Sequence, residues 1–264
     1  MVELRSQRAI VKYSNGQFVS KMDEVAVEYP ITVLLNGKEF ITIVCTPQYI
    51  EEMVIGFLAS EKVVTDIRHI TDVRWEKSPG VVHVTTEQTF PFYEKLQNKR
   101  YITSCCGMSR QGFVFANDAL AAKKVETRNV LLTASDCFTL MAQLDENADL
   151  FHQTGGVHIA SLCDPKGAVV RRMDIGRHNA LDKIYGHCLR ENIPVKDKVV
   201  VFSGRISSEI LLKVSKIGCE VVLSKSAPTD LAIELADELG ITAVGFIRRN
   251  TFNVYSHAER ITDG

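Results

Sequence analysis

The sequence predicts an α/β protein whose N-terminal part is mixed α+β. Three observations carry that reading. VVVF at 199–202 is a continuous apolar run, as in a strand of a sheet covered on both faces. EVVLS at 220–224 and ITAVGF at 241–246 follow it, separated by helical patterns with Ile206, Ile210, Val214 and Ile217 in one and Leu231, Leu235 and Leu239 in the other. Gly218 and Gly240 stand where those helices must stop. A β-α-β-α-β order implies parallel pairing with right-handed crossovers.

The elements upstream follow in order. Val33 to Val44 is a hairpin turned by Asn36-Gly37, because both residues of a type I′ turn need positive φ. Thr46-Pro47 reads as a helix start, with Met53, Val54, Phe57 and Leu58 as the buried stripe. A strand pair spans Val73 to Trp75 and Val81 to Thr85, turned by Ser78-Pro79-Gly80. Residues 87–110 read as a polar loop carrying Cys105-Cys106. One helix is expected from Ser135 to Phe151, with Cys137, Met141, Leu144, Ala148 and Phe151 in line and Gly155-Gly156 beyond it. HIASL at 158–162 is a strand, and a helix begins near Arg177. The expected division is a smaller α+β domain, 1–130, carrying the cysteine loop, and an α/β domain, 131–264.

Composition limits the function classes. With 31 basic against 32 acidic residues and a net charge of −1, no general nucleic-acid face is indicated. The N-terminus, MVELRSQRAIVKYSNGQ, is too polar for a signal-peptide core, and no apolar stretch is long enough to cross a bilayer, so a cytoplasmic protein without membrane contact is expected. The seven cysteines have no tight framework and read as reduced thiols. Neither Cys-x-x-Cys nor His-x-x-x-His occurs, and His257-Ala-Glu259 has no accompanying cysteine motif, so no protein-held metal is expected.

Three strand-to-helix junctions share one chemistry: Ile175-Gly-Arg177-His178-Asn179, Ser203-Gly204-Arg205 and Ser226-Ala-Pro-Thr229. Helix N-termini expose unpaired N–H groups and suit phosphate, and in open α/β sheets such junctions gather at the carboxyl ends of the strands. The bland reading is that these residues are only caps and turn formers. Phe246, Ile247, Arg248, Arg249, Asn250 and Thr251 follow the last strand. The arginines could grip phosphate bidentately and an aromatic could stack on a base; a solvated basic turn is the alternative. His178 could contact a ligand, while His158, within a strand, reads as structural. Thr103-Ser-Cys105-Cys106-Gly-Met-Ser109 is the most unusual segment. Adjacent α-carbons lie about 3.80 Å apart, less than a disulfide usually spans. Free thiols flanked by Lys99, Arg100 and Arg110 favour the nucleophilic thiolate, against the reading of an incidental pair with one thiol buried. Cys45, Cys137, Cys163, Cys188 and Cys219 sit in apolar segments and read as core.

TGGVHIASL, RMDIGRHNALDKIYG, FSGRISSEILLKVSKIG, SKSAPTDLAIELADELG, GFIRRNTFNVYSH and the SCCG run together resemble the formate dehydrogenase accessory sulfurtransferase family, FdhD. The resemblance covers most of 154–257, and the first hundred residues share layout more than motif. It implies a C-terminal three-layer α/β domain of cytidine-deaminase-like fold. It also implies a sulfur carrier that takes persulfide sulfur from a cysteine desulfurase and passes it to molybdenum bis(molybdopterin guanine dinucleotide), a bound substrate, before that cofactor enters formate dehydrogenase. The family loop reads Cys-Gly-x-Cys; here Cys106 matches the first cysteine and Ser109 replaces the second. The persulfide is therefore assigned to Cys106 with Cys105 as helper, and a homodimer is expected for a cofactor with two nucleotide arms. The alternatives are a non-catalytic chaperone for the same cofactor, a deaminase-like nucleotide enzyme, and a general thiol sulfurtransferase.

Overall fold

The computed structural model describes residues 2–89, 122, 124–146 and 148–263. Among these, a four-stranded sheet and a six-stranded sheet enclose a layer of helices.

The chain opens with a ribbon of two ten-residue strands, β1 (Arg5–Ser14) and β2 (Gln17–Ala26), paired antiparallel around Asn15-Gly16. β3 (Tyr29–Leu35) and β4 (Lys38–Cys45) form the hairpin expected from Asn36-Gly37, and both turn residues have positive φ (49° and 77°). Helix α1 (Ile50–Ser60) follows, then β5 (Ile70–Glu76) and β6 (Val81–Thr86), in sheet order β4-β3-β6-β5. The core of this part joins Ile31, Val33 and Val82 of the sheet to Met53, Val54 and Leu58 of α1. The predicted stripe of α1 is buried, but its start is not at Thr46-Pro47. Thr46 is buried and occupied elsewhere: its backbone N–H donates to Asp174, and its hydroxyl accepts from the Ile175 N–H. It has no freedom to cap a helix, which begins three residues on from Pro47.

β7 (Leu132–Thr133) leads into α2 (Ala134–Leu144), capped by a reciprocal Thr133–Asp136 box. The single helix expected to Phe151 is broken, and α3 (Asp149–Thr154) is separate. Arg171 explains the break: its guanidinium donates to the carbonyls of Gln143 and Glu146, holding the chain end of α2 open where the helix would continue. Gly155 closes α3 in the left-handed conformation.

The large sheet runs β13-β12-β11-β10-β8-β9. Its strands are β8 (His158–Asp164), β9 (Gly167–Asp174), β10 (Val199–Phe202), β11 (Val221–Ser224), β12 (Thr242–Arg248) and β13 (Thr251–Val254). The β10-β11-β12 pairs are parallel, as expected. Helices α4 (Arg177–Arg190), α5 (Ser208–Ile217) and α6 (Asp230–Leu239) cover one face, where Leu162, Val200, Phe202 and Val222 meet Leu181, Ile210 and Leu235. Ile159, Val199, Val201, Leu223 and Ile247 turn to the other face and pack on Leu140, Met141 and Leu144 of α2. Both faces are dry, which is why these strands read as continuous apolar runs rather than alternations. β14 (Ile261–Thr262) pairs with β7. No helix among the described residues is long and apolar enough to cross a membrane.

α1 and α4 join the two parts through a glycine contact. A Cβ on Gly56 would stand 1.9 Å from the Asp182 carbonyl oxygen, and one on Gly186 would stand 1.8 Å from that of Glu52. Only hydrogen fits at either position, so the backbones cross nearly in contact. Around the crossing lie buried polar groups: Arg172 with Glu52 (2.6 Å), Lys183 with Asp174 (2.7 Å) and Lys213 with Asp182 (2.5 Å).

Candidate functional site

Sheet polarity decides which loops meet. β10, β11 and β12 are parallel, so Ser203-Gly204-Arg205, Ser226–Thr229 and Phe246–Thr251 emerge at one edge. β8 runs against β10 and β9 against β8, with His158 paired to Asp174. The start of β8 and the Ile175–Arg177 junction therefore share that edge. All the junctions singled out in the sequence lie on one rim.

Hydrogen bonds among the loops fix the rim. The Ser203 hydroxyl accepts from the Ile159 N–H (3.0 Å). The Ser226 hydroxyl donates to the Ser203 carbonyl (3.2 Å), and the Phe246 N–H donates to the Ser226 carbonyl (3.2 Å). The Ser224 hydroxyl donates to the Gly204 carbonyl (2.7 Å). Gly204 admits no side chain: a Cβ would come within 2.8 Å of the Phe202 ring and 3.4 Å of His158 Nδ1. That contact places His158, read as structural from the sequence, on the rim beside Gly204. Its position at the antiparallel end of β8 is a fact of topology that strand periodicity does not reveal.

The candidate residues divide by what their side chains do. Arg205, Arg248, Arg249, Asn250 and Thr251 are exposed. Arg248 is oriented by donating to the Lys225 carbonyl. Phe246 sits in the left-handed region (φ 53°) at a bulge between Gly245 and Arg248, and 43% of it is exposed while Gly245 and Ile247 are buried. A bulge re-aims a side chain, and here it turns a ring outward from a strand whose neighbours are core. Ile247 is 2% exposed and packs in the core under α2, so its side chain is not presented to the rim. Thr229 is the N-cap of α6, yet its hydroxyl makes no capping bond. α5 begins at Ser208 with Ser207 as cap, leaving Ser203-Gly204-Arg205 as a loop before the helix.

The first turn of α4 is more committed than its sequence suggests. Asn179 is buried, and its amide donates to the Val44 carbonyl (3.0 Å) and to Asp174 (2.9 Å). His178 lies 3.1 Å from Glu209 of α5. Burial lowers the His178 pKa, aided by Lys213 and Arg177 and opposed by Glu209. Arg177 is partly exposed at the helix start. Much of the polar content of RMDIGRHNALDKIYG thus fastens α4 and β9 to the N-terminal part through Arg172, Asp174, Asn179, Asp182 and Lys183. The signal was present: Asn179, Asp182, Lys183 and Gly186 recur at helical spacing on one face.

Cys105 and Cys106 lie outside the described residues. The other five cysteines are all buried and free. Burial pushes the Cys45, Cys137 and Cys163 thiols up to about 12 and Cys188 up to about 11, and raises Cys219 as well. Downstream of the cysteine pair, the chain is fixed to the large sheet by Glu220. This buried carboxylate accepts from the backbone N–H groups of Asn129 (3.0 Å) and Val130 (3.2 Å) and lies 3.5 Å from Arg260. Val125 donates to the Leu239 carbonyl. No cluster of three metal-ligating side chains occurs among the described residues, and His257 and Glu259 of the short His-x-Glu motif are simply paired with each other (3.2 Å).

The model of the FdhD/NarQ family matches residues 26–262. A sulfur carrier protein FdhD of Shouchella clausii is 53% identical over 259 residues, covering 98% of this chain and 97% of the relative. Proteins of the same name from Listeria monocytogenes (48% over 261 residues, 99% and 100% covered) and Bacillus subtilis (48% over 256 residues, 97% of each) are similarly close. The crystal structure of a candidate formate dehydrogenase accessory protein from Desulfotalea psychrophila shares the fold, with a TM-score of 0.79 at 24% identity over 98% of this chain and 100% of that one.

Proposed function

The chain belongs to the FdhD/NarQ family, and on that premise we propose that it is a sulfur carrier serving formate dehydrogenase, with Cys106 as the carrying thiol. The observation that carries the assignment is the burial of every other cysteine except Cys105. A thiol must reach a donor and ionise to accept sulfur. Cys45, Cys137, Cys163, Cys188 and Cys219 meet neither condition.

In the proposed cycle, the Cys106 thiolate attacks the terminal sulfur of a persulfide on a cysteine desulfurase. The donor's S–S bond breaks, a new S–S bond forms on Cys106, and the donor's cysteine leaves as thiolate. The cargo is the molybdenum cofactor bearing two guanine dinucleotide arms. Its sulfur is delivered from Cys106, which departs as the free thiol, while the metal supplies the two electrons that turn sulfane sulfur into sulfide. The protein contributes position and electrostatics. Arg205, Arg248 and Arg249 meet the phosphates, Ser226 and Thr229 line the loop between them, and the Phe246 ring stacks on a base. The oriented guanidinium of Arg248 and the outward-turned ring of Phe246 support this use of the rim.

Replacement of the second loop cysteine by Ser109 favours one other reading, a chaperone that binds and delivers the cofactor without carrying sulfur. Cells lacking their own copy and supplied with Cys106→Ala separate the two. The carrier reading expects formate dehydrogenase activity to be lost while the protein accumulates normally. Full activity would leave the chaperone.

A further inference from the structure

In the N-terminal sheet, β5 has a single partner among the described residues, β6, and so leaves one edge open. An open edge presents a row of unpaired N–H and C=O groups. Two adjoining hollows, of about 520 and 320 Å³, run beside it and share Ile55, Ile67, Ile70 and Leu189. The larger one touches Ile70, Thr71, Asp72 and Val73 in succession. Neighbouring strand residues point to opposite faces of a sheet, so a hollow that meets four in a row lies along the strand's edge. The bulge between Ile70 and Asp72 does not alter this, because Asp72 and Val73 lie beyond it and both line the hollow. The floor is apolar: Ile67, Ile70, Tyr185 and Leu189 are each half-buried. The groove is also electrically two-ended. At the smaller hollow stand Lys62 and Lys216, with no carboxylate among its described residues, and Lys216 is oriented by donating to the Ser60 carbonyl (2.7 Å). At the larger, Asp72 and Glu191 set the sign, because Glu51 is paired with Arg190 (3.5 Å) and Arg68 with Asp66 (2.9 Å).

We infer that this groove is a docking site for an extended segment of a partner protein, which joins β5 as an added strand. In that mode main-chain hydrogen bonds supply affinity, and pockets for alternate side chains supply selectivity. An open strand edge calls for a peptide backbone, which a lipid or a small ligand does not carry. The hollows are concave, and two concave faces do not fill each other, so the occupant is not the same groove on a second copy. Charge complementarity sets the chemistry of the segment. It carries a carboxylate at Lys62 and Lys216, apolar side chains over Ile67 and Leu189, and a basic side chain at Asp72 and Glu191. Four strand residues span about 13 Å, so a segment of about six residues fills the groove. The site is remote from the rim. α4 begins at the rim with Arg177 and ends in the groove at Arg190, and a helix of that length rises about 20 Å. A partner held here leaves the rim open, and the inference does not rest on the sulfur-carrier reading.

The test is selection of phage-displayed random heptapeptides on the full chain, followed by fluorescence anisotropy of the enriched peptides. These are expected to alternate apolar residues between an acidic and a basic end, and to protect the amides of residues 70–73 from hydrogen exchange. Leu189→Lys is expected to weaken them by roughly tenfold or more, with unchanged circular dichroism. Lys62→Glu is expected to weaken the same peptides and to bind the versions in which lysine replaces the acidic residue. Arg248→Ala with Arg249→Ala, on the rim, is expected to leave binding unchanged. Failure to enrich any common pattern overturns the inference. So do peptides indifferent to both groove substitutions, peptides lost with the rim pair instead, or β5 amides protected only by self-association at rising concentration.

Discussion

A thiol takes up sulfur only as a reachable thiolate, and that condition sorts this chain's cysteines by place. At pH 8 a small alkylating reagent is expected to label the peptide holding Cys105 and Cys106, and to leave Cys45, Cys137, Cys163, Cys188 and Cys219 unlabelled until the protein is unfolded, as read by peptide mapping. Early labelling of any of the five would contradict the sorting. Two other residues shape the response to acid. Burial lowers the His178 pKa from its usual 6.5, so the unfolded chain binds that proton more readily and stability declines as pH falls below 6.5. For Glu52, burial acts upward, but hydrogen bonds from Arg172 and His187 outweigh it and hold the carboxyl below its usual 4.5. Its contribution is present above 4.5 and is lost as pH falls through the lower native value. Urea melts across pH 4 to 8 are expected to show a shallow decline beginning near 6.5 that His178→Asn removes. The steeper decline below 4.5 is expected to remain in that variant.

At the scale of elements, the α1–α4 crossing concentrates the greatest sensitivity to change. Gly56→Ala or Gly186→Ala forces a methyl into a backbone carbonyl. Either is expected to cost about 3 kcal/mol or more, at the upper end for overpacked sites, in denaturant unfolding monitored by circular dichroism. A loss below about 1 kcal/mol, the scale of a tolerated swap, would show that the helices can separate freely. Glu220→Gln weakens the strap on residues 129–130, where a buried carboxylate meets two N–H groups and Arg260. Removing one partner of a buried pair costs about 3–5 kcal/mol, so a stability loss of that order is expected in the same assay. These elements also mark the limits of reading by pattern. Asn36-Gly37 and the VVVF, EVVLS and ITAVGF runs were legible because turn chemistry and dry strands are local properties. The start of α1 and the break after α2 were not, because Asp174 and Arg171 decide them from more than twenty residues away. The β1–β2 ribbon escaped for the opposite reason: it is largely exposed on both faces, and Ile10 and Val19 interrupt the alternation of Ala9, Val11 and Tyr13 and of Phe18 and Met22, so no buried face stands out.

Across the whole molecule, the parallel order of β10, β11 and β12 brings the Ser203, Ser226 and Phe246 loops to one rim, and this much of the candidate site followed from the β-α-β-α-β pattern, whereas the Ile175–Arg177 junction reaches the rim through the antiparallel β8 and β9. What the pattern could not tell was which polar residues face outward. Asn179 and Ile247 look like their rim neighbours in sequence, yet one ties α4 to Val44 and the other fills the core. Arg205, Arg248 and Arg249 stay at the surface, and replacing Arg248 and Arg249 together by Ala is expected to weaken guanine-nucleotide binding by roughly tenfold or more, from the loss of charge-assisted phosphate contacts, as followed by calorimetry with GDP. Unchanged affinity would move the nucleotide away from the rim. The carrier step itself is tested most directly by intact-mass spectrometry after incubation with a cysteine desulfurase and cysteine, followed by peptide mapping with and without reductant. One added, reductant-labile sulfur is expected on Cys106 and is expected to be absent in Cys106→Ser. An unmodified protein beside a demonstrably active desulfurase, or sulfur on one of the five buried cysteines, would contradict it.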